Sequence, residues 1–351
     1  MTTNPAPLDG DGSLVLVVNA GSSSLKARLL ARDDRVIWQG QTEWSPDAPE
    51  ETLASWLLPA LAPWSAALAL VGHRVVHGGT AFTAPTLLTT EVRERLAALV
   101  PLAPLHNGPA LAVMEAFRHW RPQLPQWACF DTAFHHTLSP AASTYALPAV
   151  WREQGLRRFG FHGLNHQHVS EVVTVERLIS CHLGAGCSLC AIRDGVSVAT
   201  TMGFTPLEGL VMASRSGSLD PGLLLHLLRQ GVAPGELDEA LHHRSGLLGL
   251  SDGLSGSMKV LRDAAAGGHA GAALAIAVFR QRLLEGIGAM AACLGGVDGI
   301  ALTGGIGEHD HALRDELQSA LAWLSPLTWM VVPADEEGLI ARQCRAAAAL
   351  R

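Results

Sequence analysis

Apolar runs separated by small polar turns define the beginning of the chain. Residues 14–18 form a compact apolar run, a turn rich in glycine and serine follows at 19–24, and residues 25–30 resemble a second strand. A charged turn at 32–34 then leads to a third strand that starts at Val36. This spacing predicts an order of strand, hairpin and strand, and not a strand followed by a helix.

The same order of features recurs in the second half of the chain. An apolar run at 178–181 leads into the Gly-rich turn 182–186, and a strand at 188–192 follows. A charged turn at 193–195 then precedes another strand at 196–199. The recurrence predicts two copies of one β-rich domain, with a ligand bound in the cleft between them.

Helical patterns lie between and after these strands. Apolar residues spaced three and four apart predict helices over 91–99, 108–118, 222–229 and 270–294. A further apolar strand at 299–302 leads into another Gly-rich turn. Strands alternating with helices predict an α/β protein of two domains.

Composition and charge exclude several classes of protein. The chain has 351 residues, of which 48% are hydrophobic and 16% charged, so it can bury a sizeable core and is not predicted to be disordered. Its net charge of −7 argues against a nucleic-acid partner, which would need a basic face. The most apolar stretch, 54–71, is interrupted by Pro59 and Pro63, so no membrane span is predicted.

The cysteines and histidines leave open two minor alternatives for metal binding. No secretory signal is recognisable, so the six cysteines are expected to be free thiols in a reducing compartment. Cys187 and Cys190 form a C-x-x-C pair. We expect them to be small buried residues of a strand, and the alternative is that they bind zinc. His162, His166 and His168 have the spacing of a transition-metal site, although glycines flank the first of them.

Three turns point to a ligand that carries phosphate. The Gly/Ser turns at 21–24, 184–186 and 304–307 each follow an apolar strand, and such turns let backbone N–H groups converge on phosphate oxygens. None matches a Walker A loop or a dinucleotide-binding fingerprint. Lys26 follows the first turn closely enough to reach a phosphate.

Isolated polar residues in apolar surroundings complete a set of groups for phosphoryl transfer. Two arginines, Arg74 and Arg215, lie in segments of small residues, and Asp131 lies between aromatic residues. His106 and His162 lie in loops that contain proline or glycine. Phosphoryl transfer needs cations at the phosphoryl oxygens, a carboxylate for a metal ion and backbone cradles, which is the combination present here.

At these residues the chain resembles the acetate kinase family of the acetate and sugar kinase/actin superfamily. The matching strings occur in family order over nearly the whole chain: VLVVNAGSSSLK, GHRVVHGG, LAPLHN, FDTAFH, GFHG, CHLGAG, TTMGFTPLEGL, SRSGSLDP, SGLLGLS, LTGGIGEH and PADEEGLIAR. Together they are highly specific.

The resemblance implies a fold, a reaction and partners. The fold is α/β, with two similar actin-like (ribonuclease H-like) domains, mixed sheets flanked by helices and the active site in the interdomain cleft. The N-terminal domain comprises residues 1–133 and 338–351, and the nucleotide-binding domain comprises residues 134–337. The reaction is reversible phosphoryl transfer between ATP and acetate, giving ADP and acetyl phosphate, with Mg²⁺ or alternatively Mn²⁺. A cytoplasmic homodimer is implied.

The resemblance also implies roles for individual residues. Arg74, Asp131, His162 and Arg215 would be catalytic, and Asn19 and Glu336 would hold the metal ion. Acetate would contact Arg74, Val76, Leu105, His106, Phe161 and Pro206. The nucleotide would contact Ser22, Ser24, Lys26, His182, Leu183, Gly184, Ala185, Gly186, Ser257, Met258, Lys259, Gly305, Ile306, Gly307, Glu308 and His309.

One role can be refined on chemical grounds. A carboxylic acid substrate with a pKa of about 4–5 is already ionised at pH 7 and needs no general base. Asp131 is therefore expected to orient Arg74 or a metal-bound water, and not to remove a proton.

The departures from the family pattern concern the nucleoside side of the predicted site. Ala185 stands where the family usually has Asn, Ser257 and Lys259 stand where Asp and Arg are usual, and His309 replaces Asn. These departures leave open another phosphoryl donor or weakened activity. A propionate or other short-chain carboxylate kinase, and a nucleotide-binding protein without catalysis, are the further alternatives.

Overall fold

The computed structural model describes residues 14–21 and 24–350, and of Leu105 it describes only the backbone. The described chain forms two compact units, one made of residues up to Ala133 together with those from Asp335 onward, the other of Phe134–Ala334. Residues 335–337, which the resemblance assigns to the nucleotide-binding domain, lie in the first unit.

The first unit contains a six-stranded mixed sheet. Its strands, β1 to β6, are Leu14–Ala20, Ser24–Leu30, Val36–Glu43, Leu68–Val75, Thr86–Leu87 and Gln126–Phe130. Their order is β3-β2-β1-β4-β6-β5. β1 pairs antiparallel with β2 and parallel with β4, and β4 pairs parallel with β6. The predicted hairpin-linked strands at the N-terminus are therefore present.

The second unit contains a five-stranded mixed sheet. Its strands, β7 to β11, are Arg177–Leu183, Cys187–Arg193, Val196–Thr200, Gly299–Thr303 and Thr328–Val331. Their order is β11-β10-β7-β8-β9. β7 pairs antiparallel with β8 and parallel with β10, and β10 pairs parallel with β11. Since β9-β8-β7-β10-β11 repeats the directions of β3-β2-β1-β4-β6, the two units share one topology.

Helices flank both sheets. The α-helices, α1 to α15, are Pro49–Thr52, Leu58–Leu61, Thr90–Ala97, Pro104–Trp120, Pro140–Ser143, Ala149–Arg152, Gly163–Val172, Pro221–Arg229, Pro234–His243, Gly246–Leu250, Met258–Ala266, Ala270–Leu294, Gly304–His309, His311–Ala320 and Glu336–Ala349. The predicted helix 270–294 coincides with α12, whereas 108–118 extends to the whole of α4. Within residues 14–21 and 24–350, no helix combines the length and apolar character needed to cross a lipid bilayer.

The central strands are buried because helices cover them. In β1 every described residue except Asn19 is buried, and α4 and α15 both pack against this strand. Such burial on both faces produces a continuous apolar run in place of an alternating pattern. At the C-terminal ends of β1, β4 and β6 this packing presents Asn19, Arg74 and Asp131.

Buried histidines predict that the fold loses stability in mild acid. Burial lowers the pKa of His73 to about 4, although the hydrogen bond to Gln126 opposes the change, and burial lowers the pKa of His135 equally. Because these folded-state values lie below the unfolded value of 6.5, the unfolded chain takes up protons first as pH falls. The free energy of unfolding should therefore decrease below pH 6.5, by up to about 1.4 kcal/mol per pH unit for each ring.

Urea unfolding at pH 7, 6 and 5 checks this prediction. The variant His73→Gln should show a shallower pH slope than the wild type, and the difference isolates one ring from all other titrating groups. His311→Gln replaces an exposed histidine and should leave the slope unchanged. Equal slopes for the wild type and His73→Gln would contradict the prediction.

Candidate functional site

In the first unit, an arginine between two carboxylates forms the centre of the predicted site. Arg74 leaves the end of β4, and its Nε and Nη2 donate to Asp131 Oδ1 at 3.0 Å and Oδ2 at 2.6 Å. Its Nη1 lies 3.2 Å from Glu336 Oε2. The Asp131 side chain is only 1% exposed. Both of its oxygens therefore accept hydrogen bonds from one guanidinium at a buried position. Such bidentate, charge-assisted pairs define the orientation of an arginine.

The charges around Arg74 shift two pKa values. Burial raises the pKa of Glu336 to about 7, with Asp131 and Glu337 adding to the shift while Arg74 and Lys26 oppose it. For Arg74, burial alone would lower the pKa, but the charges of Asp131 and Glu336 and the hydrogen bond to Asp131 raise it above its ordinary value. The arginine is therefore always charged, and a cation near Glu336 would favour its ionised form.

The donors predicted to hold a metal ion belong to this unit. Asn19 lies at the end of β1, opposite Lys26 in the β1–β2 register, and Glu336 begins α15. An amide oxygen and a carboxylate oxygen suit Mg²⁺, which commonly takes one or two protein ligands and keeps waters and substrate phosphates for the remainder. The excess of carboxylates around Glu336 is also what a divalent cation would neutralise.

In the second unit, a histidine and an arginine meet at the Gly-rich turn after β7. His162 precedes α7 with a left-handed φ of 55°, and its ring stacks on His182 with centroids 4.3 Å apart. Arg215 donates from Nη1 to the carbonyl oxygen of Pro206 at 2.6 Å. A Cβ atom on Gly186 would lie 2.8 Å from Arg215 Nη2 and 3.1 Å from His162 Nε2. The missing side chain at Gly186 is therefore what lets both groups approach the turn.

Arg215 is half-buried, and burial disfavours the charged form of its guanidinium. Burial lowers its pKa, and Cys187 opposes the shift. The structure gives Arg215 no hydrogen-bonded carboxylate among the described residues, in contrast to Arg74. A guanidinium without a carboxylate partner is suited to bind an anion that arrives with the substrate.

A pocket of about 700 Å³ lies beside this turn in the second unit. Eight of the residues predicted to bind nucleotide line it: Gly184, Ala185, Ser257, Met258, Lys259, Gly305, Ile306 and His309. Five lining residues were not predicted: Ala213, Gly256, Arg262, Asp263 and Asp310. Arg262 and Asp263 lie one turn after Met258 and Lys259 on α11, so helical periodicity could have identified them.

The predicted nucleotide contacts that do not line this pocket include Glu308, Leu183 and Gly307. Glu308 accepts hydrogen bonds from the backbone N–H groups of Gly304 and Ala334 through Oε1, both at 3.0 Å, so its carboxylate holds two loops of the second unit together. Leu183 is fully buried in β7, and Gly307 packs close to Leu302. None of these three residues lines the 700 Å³ pocket.

The remaining predicted contacts divide between the two units. Val76, His106 and Ser24 lie in the first unit and are half-buried, whereas Phe161, which is buried, and Pro206 lie in the second. Ser22 and the side chain of Leu105 lie outside the described residues. Their predicted roles therefore stay predictions.

The two alternative metal motifs have ordinary structural positions. Cys187 and Cys190 are buried in β8, and burial raises the pKa of each thiol to about 12. His166 hydrogen-bonds to two serines and His168 to the carbonyl oxygen of Pro333. In the part of the chain that the structure describes, no three His, Cys, Asp or Glu side chains form a group that could hold a metal ion.

Comparison with known proteins agrees with this arrangement. Residues 14–328 match the model of the acetokinase family. The acetate kinase of Synechococcus sp. (strain JA-2-3B'a(2-13)) is 43% identical, over 94% of this chain and 98% of that protein. The acetate kinase of Deinococcus radiodurans is 50% identical, over 71% of this chain and 65% of that protein.

Solved structures agree with the fold. The crystal structure of Porphyromonas gingivalis acetate kinase superposes with a TM-score of 0.87 at 31% identity, covering 96% of this chain and 100% of that one. A propionate kinase from Francisella tularensis gives the same TM-score and identity over 94% and 98% of the two chains. The predicted fold class, two similar actin-like domains with mixed sheets flanked by helices, is confirmed. The chain belongs to the acetokinase family.

Proposed function

We propose that the protein is an acetate kinase, which transfers a phosphoryl group reversibly between ATP and acetate. The observation that carries this proposal is the pairing of Arg74 with buried Asp131, in a chain of the acetokinase family. An oriented guanidinium that is always charged binds a small carboxylate or an acyl phosphate well. A nucleotide-binding protein without catalysis would have no use for this pair.

The two units have different tasks in this proposal. Arg74, Asp131, Asn19 and Glu336 of the first unit act on the carboxylate and the metal ion. His162 and Arg215 of the second unit stabilise charge on the transferred phosphoryl group, and the pocket of about 700 Å³ holds the nucleotide. Val76, Phe161 and Pro206 provide apolar contacts for the methyl group of acetate. This division of labour follows the sequence-based domains, 1–133 with 338–351 and 134–337, except that Glu336 lies in the first unit.

Asp131 acts as a positioning group. Both of its oxygens accept from Arg74, which leaves the carboxylate engaged with the guanidinium and not poised to take a proton. Because acetate is already ionised at neutral pH, transfer needs no base. Asp131 thus keeps Arg74 in one rotamer.

A divalent metal ion would offset the negative charge of the carboxylates around Glu336 and of the nucleotide phosphates. Asn19 and Glu336 would hold Mg²⁺, with Mn²⁺ as a substitute, and the ion when bound neutralises charge on the phosphate oxygens of the nucleotide. The six free cysteines, five of them buried, fit the proposal that the protein works in the reducing cytoplasm.

A second candidate function is propionate kinase activity, because the Francisella tularensis propionate kinase matches as well as the acetate kinase structure does. A further methylene group changes binding by only about 1–3 kcal/mol in an apolar pocket. Both acids therefore belong in the assay.

Turnover measured with a panel of donors and acceptors tests these proposals. The purified protein is incubated with acetate or propionate and with ATP, GTP or pyrophosphate, and the acyl phosphate is trapped as its hydroxamate. We expect turnover with ATP and acetate that stops when EDTA removes the metal ion. Activity with another donor only would show that Ala185, Ser257, Lys259 and His309 have changed donor choice, and inactivity with every pair would contradict kinase function.

We also propose that the protein is a homodimer, which exposed leucines on one helix support. Leu223, Leu225 and Leu228 of α8, with the preceding Leu219, are between 39% and 51% exposed. Covering these exposed leucines with a second copy of the chain would remove apolar surface from water, which is favourable by about 25 cal/mol per Å².

Light scattering tests the dimer. The wild type should have about twice the chain mass of 37.0 kDa, and Leu225→Glu should have a mass near that of one chain. Val150→Glu places the same charge at another exposed apolar position and should leave the dimer intact. A monomeric wild type, or a dimer in Leu225→Glu, would contradict α8 as the interface.

A further inference from the structure

A chain of hydrogen bonds leads from the interior of the second unit to His162. Ser180 Oγ lies 2.8 Å from His166 Nδ1, and His166 Nε2 lies 2.8 Å from Ser188 Oγ. Ser188 Oγ in turn lies 2.9 Å from His162 Nδ1. Ser180, His166 and Ser188 have no exposed surface. The distances allow this chain to run in either of two directions.

The two directions differ in which nitrogen of His166 carries the proton. Burial, helped by His135 and His182, holds the pKa of His166 well below its usual value, so the ring is neutral and carries one N–H. If that N–H is at Nδ1, it donates to Ser180, and Ser188 then donates to His166. If it is at Nε2, it donates to Ser188, and the hydroxyl of Ser188 then donates to His162 Nδ1.

Ser180 decides between them. Among the described residues its hydroxyl has one hydrogen-bond partner, His166 Nδ1. If His166 donated to Ser180, the hydroxyl proton of Ser180 would be buried without an acceptor, which native proteins rarely tolerate. With Ser180 as the donor, each hydroxyl donates once and His166 is satisfied at both nitrogens. The chain therefore runs from Ser180 outward to His162.

We propose that Ser180, His166 and Ser188 are positioning residues that set the tautomer of His162, so that its neutral ring carries the proton on Nε2. This nitrogen and Arg215 Nη2 both lie close to Gly186, as the space for a Cβ atom there shows. An N–H at this place donates to an anionic phosphoryl group, whereas the other tautomer would present a lone pair and repel it. The inference rests on the proposed kinase function for its catalytic consequence, but not for the tautomer itself.

Three serine variants and two readouts test the proposal. Ser188→Ala removes the donor to His162, Ser188→Thr keeps a hydroxyl on the same strand, and Ser197→Ala removes a comparable buried serine, 2.8 Å from His135 Nδ1. NMR of deuterated protein with ¹⁵N-labelled histidine reports which nitrogen of His162 is protonated. The hydroxamate assay with ATP and acetate reports kcat and KM.

In the wild type we expect the proton on Nε2 of neutral His162. Ser188→Ala should abolish this preference and lower kcat by roughly 10²-fold with KM values within about twofold. Ser188→Thr should restore both properties, and Ser197→Ala should match the wild type in both. A proton on Nδ1 in the wild type, or an unchanged kcat in Ser188→Ala, overturns the proposal. If the wild type has no kinase activity, the kinase function fails separately, while the NMR measurement still decides the tautomer.

Discussion

Replacement of Arg74 by lysine should lower kcat/KM for acetate by about 10²–10³-fold, or roughly 2.7–4 kcal/mol of transition-state stabilisation. Arg74 donates through Nε and Nη2 to the two oxygens of Asp131, and its Nη1 lies near Glu336. All three guanidinium nitrogens therefore have a carboxylate partner. A lysine has one ammonium group on a flexible stem, so it cannot hold both carboxylates and still present a planar face to the substrate. The buried Asp131 would then lose its fixed partner.

The chain offers a matched control for this variant. Arg93 pairs with Glu115 at 3.1 Å, and its side chain is 18% exposed, as is that of Arg74. Arg93→Lys should therefore change kcat/KM by less than about twofold. Asp131→Asn keeps one oxygen that can accept from Arg74, so we expect it to retain more activity than Arg74→Lys. Activity of Arg74→Lys within threefold of the wild type would refute the proposed role.

A single added methyl group at Gly186 is expected to lower kcat by about 100-fold without unfolding the protein. Its Cβ would lie 2.8 Å from Arg215 Nη2 and 3.1 Å from the nearest atoms of the His162 ring. Because the nearest atom ends a flexible side chain, the guanidinium can move away at little cost in stability. The displacement takes Arg215 away from the position proposed for the phosphoryl group, and errors of about 1 Å at a catalytic group cost about 10²-fold.

Gly184→Ala is the control for this change. Its Cβ would lie 3.5 Å from the carbonyl oxygen of Gly186 and 3.6 Å from His182 Nε2, which are ordinary contacts. Because Gly184 lines the proposed nucleotide pocket, an effect on nucleotide binding should appear in KM for ATP. We expect the kcat of Gly184→Ala at saturating ATP to stay within about threefold of the wild type, and both variants to melt within a few degrees of it. Equal loss of activity in the two variants would mean that the turn, and not the position of Arg215, limits the reaction.

Much of the fold was predictable because it depends on local patterns. The hairpin β1–β2 and its counterpart β7–β8 follow from apolar runs and polar turns, and the 25 residues of α12 follow from their helical spacing. The recurrence of these patterns predicted two related domains, and the two sheets have matching strand order. Secondary structure that depends on neighbouring residues in the sequence can be predicted without knowledge of long-range contacts.

The candidate site was only partly predictable. Arg74 and Asp131 were identified as polar residues in apolar segments, but their pairing joins positions 57 residues apart in the sequence. The resemblance implies that Glu308 contacts the nucleotide, which stays a prediction, but only the structure shows that its carboxylate accepts from the backbone N–H groups of Gly304 and Ala334. Arg262 and Asp263 could have been identified from the helical spacing after Met258 and Lys259, whereas Asp310 was missed because neither motif nor composition shows that it borders the cavity.

The sequence alone determined the strands β1–β3 and β7–β10, the repeat, the family resemblance and the types of residue that phosphoryl transfer needs. The tertiary structure decided which of these residues meet and in what state of charge. Burial raises the pKa of Glu336 to about 7, and the serine at 180 determines the direction of the hydrogen-bond chain to His162. The physical reason is that dehydration and hydrogen-bond satisfaction depend on every neighbour in space, and these neighbours come from distant parts of the chain.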